Sequence, residues 1–286
     1  MPARPPEGHY APGLFGEMRE VKRWSVGRGD DSLWRRSPRT SKRGAPRRVA
    51  NIASRGAANE ESVGAVHLTE APMAEYTLHC FAQSGNAYKP ALALELAGAH
   101  WKPRFVDFFG GETRTAAYRA INVMGEVPVL EHRGARLSQS GVVLDYLADT
   151  LGRFGSTNPA VRREILRWIL FDNHKLTSYT ATYRFMRTFV KDPEPAVLAE
   201  FRRRAESAWG ILNAHLDGRH YVVDDRLTIA DISLCGYLFF ADEIGVDWNA
   251  FPAIRNWLER IRNEPRWVHP YELMPGHPLP VAQRKS

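Results

Sequence analysis

Residues 76–151 pack strand and helix signals so closely that few topologies can hold them. "YTLHCF" (76–81) is a largely apolar run and reads as a buried strand. A helix is expected over 87–98, rich in Ala and Leu, with Gly98 near its end. "RFVDFF" (104–109) reads as a second strand, and "GGETRTAAYRAI" (110–121) as a loop entering a short helix. "VPVLE" (127–131) and "ARLSQ" (135–139) flank "HRG", a hairpin signal, and a further helix spans 140–151 before Gly152. The order is βαβ, then α, then ββα. With right-handed crossovers it leaves a four-stranded mixed sheet with helices on its faces.

Strand signals largely stop after "GRFGSTNP" (152–159). Val161, Ile165, Trp168 and Ile169 fall at helical spacing within 161–175, and Ile254, Trp257, Leu258 and Ile261 repeat the pattern. Leu198, Phe201, Ala205, Ala208, Trp209, Leu212 and Leu216 form one apolar stripe over 198–216. The second domain is therefore expected to be all-α, with about five helices. The expected division is an extension over 1–73, an α/β domain over 74–152, a linker over 153–158, a helical domain over 159–270 and a tail over 271–286.

The extension differs from the rest of the chain. It is rich in Pro, Gly, Ser and Arg, without a sustained apolar period, and reads as a disordered basic arm. Residues 1–72 carry 13 Lys and Arg against 8 Asp and Glu, which leaves 26 against 24 in the remainder. The net charge of +7 thus resides mostly in the front segment, and the folded body is near neutral. Nucleic acid is not an expected partner of that body. "RRSPRTSKRGAPRR" (35–48) keeps open a basic arm on nucleic acid or an acidic surface, while the acids and prolines of the extension oppose a targeting helix. "MAEYTLHCF" at Met73 also reads as a start, which would leave the extension untranslated. Two cysteines, Cys80 and Cys235, cannot build a disulfide framework, so a reducing compartment such as the cytoplasm is expected. No apolar run approaches the ~18–20 residues of a membrane span.

Four short segments carry the chemistry. "FAQSGNAYK" (81–89) lies between a strand and a helix and reads either as a tight turn or as a site. In "EVPVLE", Val127–Pro128 precedes a strand; in a thioredoxin-like sheet such a proline is cis, and the backbone of the residue before it pairs with an extended peptide ligand. In "LSQSGVVLDYL", Ser140 reads either as a helix N-cap or as part of a carboxylate site at a helix N-terminus. Thr228 and Asp231 in "RLTIADIS" form a capping box, with Leu227 and Ile232 as its staple.

Taken together, "SGNAYK", "GGETRTAAY", "GEVPVLE", "LSQSGVVLDYLA" and "LTIADIS" resemble the cytosolic-type glutathione S-transferases over about 74–270. The form is similar to bacterial members with a Ser/Asn site and to the yeast nitrogen-regulatory glutathione-binding protein. The resemblance implies a thioredoxin-like domain followed by an all-α domain, a homodimer, glutathione as co-substrate and no metal. It further implies that the Val127 backbone, held by cis-Pro128, pairs with the cysteinyl part of glutathione. Gln139 and Ser140 would hold the γ-glutamyl end, where the family often has Glu at position 139. Ser84 and Asn86 fall where related proteins place groups near the thiol. Glu126 departs from the usual basic or amide residue and would weaken binding unless it points away or pairs with a base such as Arg114. The strand-end tyrosine of other classes is missing, and Cys80 reads as a core residue.

Glutathione brings its own nucleophile, so the protein's task is to favour thiolate over thiol. Ser84 O–H and Asn86 N–H₂ at the positive end of the following helix would do so. The thiolate would attack an electrophilic carbon, a peroxide or a disulfide. Tyr179, Tyr183, Phe185 and Met186 in "SYTATYRFMRTF" (178–189) are candidates to line the second-substrate pocket, or else are ordinary core. The alternative is a non-catalytic binding or assembly module of the same fold.

Overall fold

The computed structural model describes residues 75–279. The expected extension over 1–73 and the end of the tail lie outside the described residues.

The first half is β1 (Tyr76–Cys80), α1 (Gly85–Ala97), β2 (Trp101–Phe105), α2 (Ala116–Ile121), β3 (Val129–His132), β4 (Ala135–Ser138) and α3 (Ser140–Leu151). The sheet order is β2-β1-β3-β4. β1 and β2 are parallel, and the other two pairings are antiparallel, with Leu78 opposite Leu130. This is the thioredoxin-like mixed sheet that the element order predicts. Arg133 and Gly134 both take positive φ, 48° and 79°, and close the β3–β4 hairpin in two residues. β3 starts at Val129, two residues later than expected.

β2 differs more. It runs over Trp101–Phe105 rather than 104–109, because Trp101 is the register partner of Tyr76. It is an edge strand with no fully buried residue, so its sequence is not apolar. The apolar residues after it, Phe108 and Phe109, belong to a loop: Phe108 stacks on Phe81, and Phe109 meets both rings edge-on.

α4 (Pro159–Phe171) passes through one π turn (Asp172–Leu176) into α5 (Thr177–Phe189); the expected helix over 161–175 ends inside that turn. α6 (Pro195–Leu216), α7 (Ile229–Cys235), α8 (Ala241–Ile244), α9 (Pro252–Arg262) and α10 (Pro270–Leu273) complete the all-α part. The described residues thus contain seven helices here rather than five, because α8 and α10 are single turns with little periodic signal.

α7 is anchored within the helical part, and the chain then returns to the first half after α10. The capping box of α7 is formed and fully buried. Asp231 accepts from Thr228 N at 2.9 Å, Val222 N at 2.8 Å and Trp257 Nε1 at 3.0 Å. Burial raises its carboxyl above the usual range, and these donors oppose that rise. The residues after α10 then return to the β1–α1 loop. Ala82 N donates to Pro275 O at 2.8 Å, and Gln83 Nε2 to Gly276 O at 2.8 Å.

Candidate functional site

The β1–α1 loop ends at Ser84, whose Oγ accepts from Ala87 N at 3.1 Å and caps α1. The helix begins at Gly85, not at 87, so Asn86 sits in its first turn beside the free N–H groups. Gly85 is needed there: a Cβ would meet ring atoms of Tyr237 at 2.5 Å. At Gly236 a Cβ would lie 2.7 Å from Lys89 Cγ and 2.8 Å from Gly85 O. Two glycines therefore let the end of α7 approach the start of α1.

Asn86 is oriented from below. Lys89 is the sole charged side chain in the first turns of α1 and is fully buried. Its Nζ donates to Asp172 Oδ2 at 2.7 Å, to Thr177 Oγ1 at 3.0 Å and to Asn86 Oδ1 at 2.9 Å. An ammonium only donates, so the amide oxygen faces Lys89, and the N–H₂ group is left for the other side. Asp172 is also fully buried and accepts from Thr177 and Ser233 at 2.6 and 2.5 Å.

Ser84, Asn86, Glu126 and Val127 line one cavity of about 460 Å³ between the two domains. Phe81, Phe108, Phe109, Phe185 and Phe189 form its apolar wall, with Phe109 and Phe189 ring centroids 5.3 Å apart. Arg184 and Tyr237 complete it. Arg184 is buried, donates to Gln83 O at 2.7 Å, pairs with Glu243 at 2.6 Å and lies 3.7 Å from the Phe240 ring centroid.

The Val127–Pro128 bond is cis, and Pro128 is buried behind Val127. Ser140 is the first residue of α3, not its N-cap; the cap position belongs to Gln139, at φ 69°, and no side chain caps that end. The buried Ser140 hydroxyl and the free N–H groups of α3 thus remain together there. Gln139 Nε2 donates to Glu126 Oε2 at 3.1 Å, so Glu126 turns toward position 139.

Of the four α5 candidates, the cavity takes Phe185. Ala181, Thr182, Phe185 and Phe189 share one helical stripe facing it. Tyr179, Tyr183 and Met186 fall on another stripe. Tyr183 is buried beside Trp209 on the far side of the helix, and Tyr179 lies 5.7 Å from Arg204. Cys80 is fully buried, and burial pushes its thiol up to about 12, which suits a core residue. Among the described residues no group of three His, Cys, Asp or Glu is placed to hold a metal. No described helix is long and apolar enough to cross a membrane.

Residues 74–149 match the model for the glutathione S-transferase N-terminal domain, and 195–260 match that for the C-terminal domain. A possible glutathione S-transferase from Rhodopseudomonas palustris is 34% identical, with a TM-score of 0.65 over 68% of this chain and 89% of its own. The chain belongs to the glutathione S-transferase family. The Pseudomonas fluorescens glutathione S-transferase is 32% identical, with a TM-score of 0.65 over 68% of this chain and 98% of its own. Among curated proteins, elongation factor 1-gamma from Danio rerio is 24% identical over 204 residues, 68% of this chain. This transferase-family chain covers 45% of that relative's length. The Escherichia coli disulfide-bond oxidoreductase YfcG is 24% identical over 192 residues, 65% of this chain and 89% of its own.

Three contributors to the cavity escape a reading of the sequence: Tyr237, Arg184 and the Phe108–Phe109 loop. Lys89 had a signal, a lone cation in an otherwise apolar stretch of α1. Tyr237 and Arg184 had none, because helix packing alone brings them to the loop.

Proposed function

We propose that the protein binds glutathione, holds its sulfur as thiolate with Ser84 and Asn86, and delivers it to an apolar second substrate. The observation that carries this is the fixed amide of Asn86. Lys89 holds its oxygen, so its N–H₂ group stands with the Ser84 hydroxyl at the positive end of a 13-residue helix, in a cavity walled by phenylalanines. The Val127 backbone pairs with the cysteinyl unit. Ser140 and the free N–H groups of α3 take the γ-glutamyl carboxylate, with Gln139 beside them. Glu126, held against Gln139, restores near that position the negative charge that Gln lacks, and so faces the γ-glutamyl ammonium. The thiolate attacks an electrophilic carbon, a peroxide oxygen or a disulfide sulfur. The likeness to YfcG favours trying disulfides first.

The test is retention on glutathione resin together with a panel of aryl halides, enals, hydroperoxides and mixed disulfides, each with glutathione. Binding with acceleration of at least one reaction is the expected result; neither binding nor acceleration sinks the reading. Binding without acceleration would instead favour a non-catalytic binding or assembly module of the same fold.

The protein acts as a homodimer through α3 and α4. Val142, Leu166 and Leu170 are more than half exposed on adjoining faces of these helices, around a groove of about 400 Å³ that Asp145 and Arg162 also line. A second copy covering this groove buries the patch. Leu166→Glu with Leu170→Glu should halve the mass seen by light scattering; an unchanged mass rules out this face. Both cysteines are free and buried, in keeping with a cytoplasmic protein.

A further inference from the structure

Tyr118, in α2, and Asn122, which caps the end of that helix, are four residues apart and share one face. Both side chains are buried. Both donate to one atom, the backbone carbonyl oxygen of Glu126: Tyr118 Oη at 3.1 Å and Asn122 Nδ2 at 2.8 Å. Asn122 Oδ1 accepts from Met124 N at 3.2 Å, which fixes the orientation of the amide. Gly125, at φ 65°, turns the chain between them; a Cβ there would lie 2.9 Å from Thr113 O. Both lone pairs of the Glu126 carbonyl are therefore filled from the α2 side. The cis peptide bonds among the described residues are Val127–Pro128 and His277–Pro278, so the Glu126–Val127 bond is trans. In a planar trans peptide the C=O and the N–H point in opposite directions. A carbonyl held toward α2 thus sets the Val127 N–H away from α2. Among the described residues that N–H has no hydrogen-bond partner. Glu126 and Val127 line the cavity together with Ser84 and Asn86.

We infer that Tyr118 and Asn122 are positioning residues for glutathione: by holding the Glu126 carbonyl they aim the Val127 N–H at an acceptor on the cysteinyl unit. The inference rests on the glutathione reading proposed above. Neither residue lines the cavity, so each acts through the Glu126–Val127 peptide. Hydrogen bonds in a chain polarise one another, so two donors on the carbonyl also make the N–H of the same peptide a stronger donor. Burial pushes the Tyr118 phenol up to about 12, so it keeps its proton to donate across the neutral range.

The experiment compares Tyr118→Phe and Asn122→Asp with the unsubstituted full chain. Phenylalanine keeps the buried ring and removes one hydroxyl. Aspartate keeps an acceptor for Met124 N but turns a carboxylate oxygen on the Glu126 carbonyl. Calorimetry measures Kd for glutathione and for S-methylglutathione. Absorbance titration measures the pKa of the bound thiol, and the best substrate of the panel gives kcat at saturating glutathione. Tyr118→Phe should raise Kd about three- to tenfold, and Asn122→Asp about tenfold or more. S-methylglutathione should lose affinity by the same factor, because the contact is to the backbone of the ligand and not to its sulfur. The bound thiol's pKa and kcat should be unchanged. That split separates the aiming of one N–H from a general loosening of the site, which lowers kcat as well. If Asn122→Asp does not fold, Tyr118→Phe decides alone. A Kd that Tyr118→Phe leaves unchanged overturns the inference. So does a loss confined to the free-thiol ligand, or a loss of affinity with an equal fall in kcat. If the unsubstituted protein binds neither ligand, the glutathione reading itself fails, and this inference with it.

Discussion

Lys89→Met is expected to lower the free energy of unfolding by about 3–5 kcal/mol, the cost of leaving a buried charge without its partner. Lys89 and Asp172 are both fully buried, 2.7 Å apart. Methionine fills nearly the same space, so little packing is lost, but Asp172 then keeps only the Thr177 and Ser233 hydroxyls. Removing both charges, as Lys89→Met with Asp172→Leu, should recover most of that loss, because an apolar pair replaces a buried ion pair at little cost. Urea unfolding of the three variants measures this. The double variant is the informative one. It should be stable yet still defective, because nothing then holds the Asn86 amide with its oxygen turned inward. A double variant with full activity would show that Lys89 serves stability alone.

Asn86→Asp is expected to reduce kcat/KM by about 10- to 100-fold, the worth of a hydrogen bond to a charged group. The substitution keeps the contact with Lys89, since a carboxylate oxygen accepts from Nζ as the amide oxygen does. It removes the N–H₂ donor and sets a negative charge beside the sulfur, so the bound thiol should titrate about one to two units higher. Stability should be unchanged, which separates this variant from Lys89→Met. Ser84→Ala should reduce kcat/KM about tenfold and also lower stability by about 1 kcal/mol, because the same oxygen caps α1. Stopped-flow titration of thiolate in the complex ranks the two residues. If neither substitution moves the thiol pKa, the sulfur is not held at this helix end.

The sheet and the helical stripe of α6 were legible because burial imposes a period on the sequence, and turns demand particular residues. The β3–β4 hairpin was placed to within two residues by Arg133–Gly134, and α7 by its capping box. β2 was displaced because it is an edge strand whose exposed residues carry no apolar run, while the neighbouring phenylalanines serve a cavity instead. On α5 the aromatic count suggested a lining, but the 3.6-residue period decides which aromatic faces where, and Tyr183 faces the opposite way.

Local chemistry, then, is what the sequence by itself determined: a serine at the entry to α1, a proline before β3, a glutamine and serine at the start of α3, and the order of elements that brings those loops to one edge of a sheet. Only the tertiary structure decided the rest. Lys89 reaches Asp172 across 83 residues, and the Tyr237 ring packs on Gly85 from the other domain. Such contacts join residues distant in the chain through packing of α1 against α7 and the turn between α4 and α5. No local period or cap records which side chains that packing sets beside Ser84 and Asn86.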